Sequence, residues 1–249
     1  MHFDLTDKTA LVTGASSGFG RRFAVVLAQH GAQVYVAARR GDQLDALVEE
    51  IGDAGGRATP LILDVSRDAD VAAAVLALPV LDIVVNNAGV AGSSRALDCD
   101  EEEWRWTYDV NVHGAWFVAR RAAQRMVAEG AGGSIINIAS ITAERPAALA
   151  AAYSSSKAAI IQMTKALAME WARYGIRVNA LAPGYFETDL NRALIQSDYG
   201  AAMMKRIPQR RFGELAELDG PLLLLASEAS SYMTGSVLAV DGGHLCSAL

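Results

Sequence analysis

Three side chains suited to proton transfer stand close together in the second half of the sequence. Tyr153 and Lys157 are four residues apart on a predicted helix, so they share one face. A free tyrosine titrates at about pH 10, and a neighbouring ammonium group stabilises the phenolate, which lowers the pKa. Ser140 ends a predicted strand, at the sheet edge where ligands bind. We therefore predict that Tyr153 acts as an acid or base, although this pattern is specific only together with other motifs.

A glycine-rich turn follows the first predicted strand and opens the next predicted helix. The strand is Thr9–Thr13, and the turn has the spacing GxxxGxG. Such glycines permit a tight turn and a close approach of the backbone to a pyrophosphate, while the helix N-terminus supplies amide donors. We expect this turn to bind a dinucleotide through Gly14, Ser16, Ser17, Gly18, Phe19 and Gly20.

The end of the second predicted strand indicates which dinucleotide is bound. A site that prefers NAD has an acid there, which bonds the 2′-hydroxyl of the ribose. This chain has Ala38 at that place, followed by Arg39 and Arg40, and guanidinium groups attract and bond a 2′-phosphate. We therefore predict NADPH/NADP+ as the cofactor, with Asp64 and Val65 beside the adenine. Two solvated arginines are the alternative.

Strand and helix patterns alternate along the chain and predict a parallel sheet. The seven predicted strands are Thr9–Thr13, Gln33–Ala38, Ala58–Leu63, Asp82–Asn86, Gly133–Ser140, Arg177–Ala182 and Ser236–Val240. We predict an α/β fold, a single doubly wound domain over residues 1–249 with helices on both faces of the sheet. One long helix is predicted over roughly Glu101–Glu129. The least regular stretch, 185–213, is predicted to form a variable substrate-binding loop.

Composition and charge exclude several other classes of protein. The chain has 249 residues, of which 52% are hydrophobic, and this excludes a disordered chain. A net charge of −6 with only isolated basic pairs argues against nucleic-acid binding. The longest apolar run, Val71–Leu81, is too short to span a bilayer. Two distant cysteines and four scattered histidines predict free thiols and no metal site. We expect a cytoplasmic protein with no membrane contact.

Several motifs occur together and in one order along the chain. They are Gly14-x-x-x-Gly18-x-Gly20, Asn86-Asn87-Ala88-Gly89, Asn111, Ser140, Tyr153-Ser154-Ser155-Ser156-Lys157, Pro183-Gly184 and Asp241-Gly242-Gly243. With them, the chain resembles the classical short-chain dehydrogenases/reductases over its whole length. The resemblance implies a seven-stranded Rossmann-type sheet and a nicotinamide cofactor. It also implies a homotetramer, or a homodimer, built through the long helices and the C-terminus.

The resemblance implies roles for individual residues as well. Tyr153 would give or take the proton, Ser140 would hold the substrate oxygen, and Lys157 would bond the nicotinamide ribose and lower the pKa of Tyr153. Asn111 would support a water relay from Lys157. Further cofactor contacts are expected from Asn87, Ala88, Gly89, Pro183, Gly184, Phe186 and Thr188. Substrate contacts are expected from Ser140, Thr142, Tyr153, Tyr185, Leu190 and Met203.

The combined prediction is an NADP(H)-dependent carbonyl reductase, or a secondary alcohol dehydrogenase in reverse, that acts on a small molecule. A 3-oxoacyl-[acyl-carrier-protein] reductase is one alternative, and the acidic balance of the chain disfavours it. A sugar or polyol dehydrogenase is another, because residues 183–188 resemble those of gluconate 5-dehydrogenase-type members. Apolar residues such as Ile141, Phe186 and Met203 favour a hydrophobic ketone instead. A non-catalytic NADP(H)-sensing protein is disfavoured, because it need not keep the residues of proton transfer.

Overall fold

Seven parallel strands form one sheet in the part of the chain that the structure describes, residues 3–92, 94–187 and 197–247. The strands of this computed structural model are β1 (Thr9–Thr13), β2 (Gln33–Ala38), β3 (Arg57–Ile62), β4 (Ile83–Asn86), β5 (Gly133–Ile138), β6 (Ile176–Pro183) and β7 (Val237–Val240). Their order across the sheet is β3-β2-β1-β4-β5-β6-β7. The direction of winding reverses between β1 and β4, and open α/β sheets bind ligands at such a point. The predicted fold class is confirmed.

Helices flank the sheet on both faces, as predicted. The α-helices of the described residues are α1 (Gly18–Gln29), α2 (Gly41–Asp53), α3 (Asp68–Ala77), α4 (Glu101–Tyr108), α5 (Ala115–Glu129), α6 (Ala151–Trp171), α7 (Asp198–Met204) and α8 (Asp219–Ala226). Short 3-10 turns at Ile141–Ala143 and His244–Cys246 lie near the site described below. Helix α7 lies inside the stretch 185–213, where the sequence pattern shows no regular element.

The alternation of side chains along each strand gives hydrophobic cores on both faces of the sheet. In β1, Ala10 and Val12 belong to the core that contains Phe23 of α1, whereas Leu11 belongs to the core that contains Val118 of α5. Strands covered on both faces carry continuous apolar runs. This is why the buried strands are recognisable in the sequence.

The helical stretch predicted over Glu101–Glu129 is not one regular α-helix. Residues Asp109–Gly114 form a π-helical segment between α4 and α5. Such segments are rare and occur frequently at functional sites. Here the segment contains Asn111, one of the predicted catalytic residues.

Three observations bear on other kinds of site. Within the described ranges, no helix combines the length and the apolar character needed to cross a membrane. Across the same residues, no group of three or more histidine, cysteine or acidic side chains is arranged to hold a metal ion. Cys99 and Cys246 are both free thiols, which confirms that prediction.

Candidate active site

The glycine turn after β1 packs directly against the loop that follows β4. Gly14 has a φ of +65°, and a Cβ atom there would lie 2.8 Å from the Cα atom of Ala88. A Cβ atom on Gly20 would lie 2.3 Å from the carbonyl oxygen of Gly14. Both distances are shorter than real Cβ contacts, so neither position accepts a side chain. The two glycines let the turn and the loop form one tightly packed floor.

Thr13 and Asn87 fasten this floor with hydrogen bonds. The Thr13 hydroxyl accepts hydrogen bonds from the backbone N–H groups of Asn87 and Ala88, both at 3.1 Å. The Asn87 side-chain amide donates to the carbonyl oxygens of Thr13, at 3.0 Å, and of Gly14, at 3.2 Å. Thr13 is not among the functional residues predicted from the sequence. A hydroxyl residue at the end of a buried strand, directly before a glycine turn, is the signal that could have identified it.

A cavity of about 400 Å³ lies along the carboxyl ends of β1, β2, β4 and β5. It is lined by Gly14, Ser16, Ser17, Phe19, Ala38, Arg39, Arg40, Leu63, Asp64, Val65, Asn87, Ala88, Gly89, Val90, Ala91, Val110, Ile138, Ala139, Tyr153 and Lys157. The cavity therefore joins the glycine turn and the arginines at one end to Tyr153 and Lys157 at the other. Most of the predicted cofactor residues line it.

Some predicted cofactor residues lie outside this lining. Gly20 supports the turn from behind. Phe186 is in the hydrophobic core, 4% exposed, and its ring packs edge-on against Phe19 with 5.7 Å between ring centroids. Because Phe19 lines the cavity, Phe186 supports its wall. Gly18, Pro183 and Gly184 are likewise not among the lining residues. Thr188 lies outside the described residues.

The two arginines after β2 differ in their surroundings. Arg40 donates a hydrogen bond of 2.9 Å to the Ser16 hydroxyl, so its guanidinium group lies over the glycine turn. Arg39 lies close enough to Asp64 for its charge to act on that carboxyl group. Burial raises the pKa of Asp64, but hydrogen bonds from Ser66 and the charges of Arg39 and Arg67 outweigh it and hold the pKa below its ordinary value. Both arginines and the ionised Asp64 line the same end of the cavity.

Tyr153 and Ser140 meet at the opposite end. The Ser140 hydroxyl forms a hydrogen bond with Tyr153, which by itself lowers the pKa of the phenol. Burial has the larger influence and, together with the nearby Tyr185, raises the pKa of Tyr153 above its ordinary value. The phenol is therefore protonated at neutral pH, in the form that can donate a proton.

Lys157 lies beside Tyr153 and is itself buried. Its Nζ atom lies 5.6 Å from the centroid of the Tyr153 ring and donates a hydrogen bond of 2.7 Å to the carbonyl oxygen of Ile138. Lys157 is 5% exposed, and burial lowers its own pKa to about 8. Burial disfavours the charged form of both groups, and it is the largest influence on the pKa of Tyr153. The effect of Lys157 on the pKa of Tyr153 stays a prediction.

Asn111 ties the loop after β4 to helix α6. Its Oδ1 atom accepts a hydrogen bond from the Val90 N–H group at 2.7 Å, and its Nδ2 atom donates to the Val90 carbonyl oxygen and to the Ser156 hydroxyl, both at 2.9 Å. A Cβ atom on Gly89 would lie 3.3 Å from Asn111 Oδ1 and 3.4 Å from Lys157 Nζ. The side chain of Asn111 therefore positions the loop. Its role in a water relay stays a prediction.

The predicted substrate residues lie in different surroundings. Thr142 is buried and contacts Ser140. The Tyr185 ring lies 5.5 Å from the ring of His244, a buried residue that was not predicted from the sequence. Met203 is half-buried on α7, and Leu190 lies outside the described residues. A histidine directly after the Asp241-Gly242-Gly243 motif is the only sequence signal for His244.

Comparisons with known proteins agree over almost the whole chain. A family model described as Enoyl-(Acyl carrier protein) reductase matches residues 14–244. Gluconate 5-dehydrogenase of Gluconobacter oxydans (strain 621H) is 36% identical over 97% of this chain and 96% of its own. The crystal structure of a gluconate 5-dehydrogenase from Burkholderia cenocepacia J2315, in complex with NADP and tartrate, has a TM-score of 0.94 and 37% identity, covering 99% of this chain and 98% of that one.

A second solved structure is of a protein that carries the name of the family. The crystal structure of a short-chain type dehydrogenase/reductase from Mycobacterium marinum has a TM-score of 0.93 and 43% identity, and the match covers 98% of each chain. The fold and the shared features are those of a Rossmann-type oxidoreductase. The chain belongs to the short-chain dehydrogenase/reductase family, as the sequence motifs predict.

The packing of the glycine turn makes one substitution costly. Gly20→Ala places a Cβ atom against the Gly14 carbonyl and the Asn87 amide, so we expect the free energy of unfolding to fall by about 1–3 kcal/mol. Gly52→Ala is the matched control, because Gly52 lies in helix α2 with open space where a Cβ atom would go, and there alanine should stabilise by about 0.5–1 kcal/mol. Urea denaturation measures both. Equal effects in the two variants would contradict the packing described here.

The burial of Lys157 predicts a dependence of stability on pH. The pKa of Lys157 is lowered from 10.5 to about 8 in the folded chain, so between these values the unfolded chain binds more protons. Stability therefore rises with pH in this window. Relative to Lys157→Met, the wild type should gain about 2 kcal/mol between pH 7 and 9.5. Denaturation curves at several pH values measure the free energy of unfolding of both proteins. If the difference between them did not change with pH, the pKa of Lys157 would not be lowered by burial.

Proposed function

We propose that this oxidoreductase transfers a hydride between NADP(H) and a secondary alcohol or the corresponding ketone. The observation that carries the proposal is the convergence of Ser140, Tyr153 and Lys157 at the end of a cavity that begins at the glycine turn. A proton donor thus stands beside the space that a dinucleotide would fill. A protein that only senses the cofactor would not need this arrangement.

The residues of the cavity fit a phosphorylated dinucleotide. The floor formed by Gly14 and Ala88 offers backbone at close range, and the N-terminus of α1 begins at this turn. Arg39 and Arg40 would hold the 2′-phosphate, and Asp64 and Val65 would flank the adenine. Ala38 at the end of β2 offers no acid to repel a phosphate. The bound NADP of the Burkholderia cenocepacia structure supports this assignment.

The proton chemistry follows from the two hydroxyl groups. When bound, the nicotinamide supplies the hydride to a carbonyl carbon or takes it from an alcohol carbon. Ser140 would donate a hydrogen bond to the substrate oxygen, and Tyr153 would give that oxygen its proton during reduction. Because the pKa of Tyr153 is raised, the donor form is present at neutral pH, whereas oxidation needs the phenolate and should accelerate as pH rises. Lys157 would bond the nicotinamide ribose through donors not used by Ile138.

A hydroxyl-rich substrate fits the site better than a hydrophobic ketone. Ile141 and Phe186, which favoured the hydrophobic ketone in the sequence, are 3% and 4% exposed. They belong to the packed interior and are not free to contact a ligand. The side chains around Tyr153 include Ser140, Thr142 and Tyr185, which can form hydrogen bonds. Gluconate 5-dehydrogenase, a relative, supports a sugar acid or polyol as the substrate class.

We extend the proposal to the association of subunits and to the cellular compartment of the protein. Half-exposed Trp104 and Trp106 on α4, and Met169 on α6 with 81% exposure, leave apolar surface on the long helices that the family resemblance associates with subunit contacts. We propose a homotetramer or homodimer that uses these helices. Two free thiols agree with a reducing, cytoplasmic location.

The first test is a substrate panel with a Tyr153→Phe control. Wild type should oxidise NADPH with a ketose or keto sugar acid faster than with an aliphatic ketone or a 3-oxoacyl thioester. Tyr153→Phe should lose about 10²–10⁴-fold in kcat, because only the proton donor is removed, while the Kd of NADPH changes little. Turnover by Tyr153→Phe above a tenth of the wild-type rate would contradict the assigned mechanism. If the aliphatic ketone or the thioester reacted faster, the proposed substrate class would be wrong.

The second test concerns the choice of cofactor. Arg39→Ala and Arg40→Ala should each lower the ratio of kcat/KM for NADPH to that for NADH by about tenfold, since each removes one charge-assisted hydrogen bond. Ala38→Asp combined with Arg39→Ala should invert the preference. Arg67→Ala is the matched control, because Arg67 also lies near Asp64 but pairs with Asp70 and does not line the cavity. A wild-type preference for NADH would show that neither arginine binds a phosphate.

A further inference from the structure

The hydroxyl group of Ser140 has two hydrogen-bond donors on one side. The backbone N–H group of Thr142 donates to Ser140 Oγ at 3.2 Å, and the Thr142 hydroxyl donates to the same atom at 3.0 Å. Ser140 and Thr142 are 7% and 8% exposed. Both contacts are therefore shielded from water, which would otherwise compete for them.

These contacts determine the direction in which Ser140 can act. A serine hydroxyl has one proton to donate and two lone pairs that accept. The backbone N–H group can only donate. While the Ser140 proton is directed at Tyr153, the Thr142 hydroxyl can bond Ser140 only as a donor. Both lone pairs of the Ser140 oxygen then accept hydrogen bonds. Ser140 can therefore interact with a further partner only by donating its own proton. Tyr153 is the remaining partner of Ser140, on the side where the substrate oxygen would lie.

The local backbone holds Thr142 in this position. Ser140 is extended, with φ −164° and ψ 155°, and caps the 3-10 turn Ile141–Ala143. The Ala143 N–H group donates to the Ser140 carbonyl oxygen at 3.1 Å, which closes the turn. The same turn therefore presents both Ser140 and Thr142, so their backbone positions are coupled.

We propose that Thr142 is a positioning residue that makes Ser140 an obligatory hydrogen-bond donor. This proposal rests on the proposed function of Ser140 and Tyr153, and it gives Thr142 a role other than the substrate contact predicted from the sequence. Through Ser140, Thr142 stabilises negative charge on the phenolate of Tyr153 or on the substrate oxygen. Hydrogen bonds in such a chain polarise one another, so the outer hydroxyl strengthens the inner one.

Thr142→Val tests this role, because it removes the hydroxyl and keeps the shape. We expect kcat to fall about 3- to 10-fold, the effect of one hydrogen bond, with the KM for NADPH unchanged. The pKa that governs the rise of oxidation with pH should move up by about 0.5, because the phenolate loses support. Thr142→Ser should restore both values. In a Ser140→Ala background, Thr142→Val should cause no further loss, since Thr142 then has nothing to act through.

Thr107→Val is the matched control for the loss of a buried threonine hydroxyl. Thr107 is fully buried and donates to the carbonyl oxygen of Glu103 at 2.8 Å, within α4. It should lose stability without any change in the pH profile. If wild type turns over and Ser140→Ala is inactive, a Thr142→Val variant with normal kcat and pH profile overturns the role of Thr142 alone. If wild type shows no NADP(H)-linked turnover on the panel, the proposed function fails, and the role of Thr142 fails with it.

Discussion

The site depends on the close approach of two backbone segments at the reversal point of the sheet. The turn after β1 and the loop after β4 pack so tightly that Gly14 and Ala88 leave no room for a side chain between them. Thr13 and Asn87 hold this contact with four hydrogen bonds. Without it, the turn would not face the cavity, and the loop that carries Gly89 would lose its place beside Lys157.

A second set of hydrogen bonds connects the packed floor to the helix that holds the residues of proton transfer. Asn111 binds Val90 of the loop and Ser156 of α6. The π-helical segment places Asn111 there, between two helices that would otherwise form one regular α-helix. Tyr153 and Lys157 lie on the same helix as Ser156, so one buried amide fixes the loop and the helix relative to each other. The end of the cavity is consequently held in place by buried polar groups that bond one another.

The sequence predicted the parts that follow from periodicity and spacing. The buried strands carry apolar runs, and two glycines of the spacing, Gly14 and Gly20, lie where backbone must pass close to backbone, so the sheet and the turn were predictable. The π-helical segment was not, because its side-chain pattern over Glu101–Glu129 still looks helical. The burial of Phe186 and Ile141 was also not predicted, since a sequence shows that a side chain is apolar but not which way it points. The contacts of Arg40 with Ser16, and of Thr142 with Ser140, need three-dimensional geometry.

Burial is the largest influence on the pKa of Tyr153, and the sequence does not show it. A lysine four residues away suggests an ammonium that stabilises a phenolate, and with a pKa of about 8 Lys157 still keeps most of its charge at neutral pH. Here one low-dielectric pocket encloses both groups, and burial lowers the pKa of Lys157 to about 8 while it raises that of Tyr153. Both groups are then closer to neutral than the sequence suggests. The phenol of the chain alone is thus in the form that donates a proton. The hydrogen bond from Ser140 opposes the effect of burial on the pKa of Tyr153, so the contacts that orient the Ser140 hydroxyl bear directly on the chemistry.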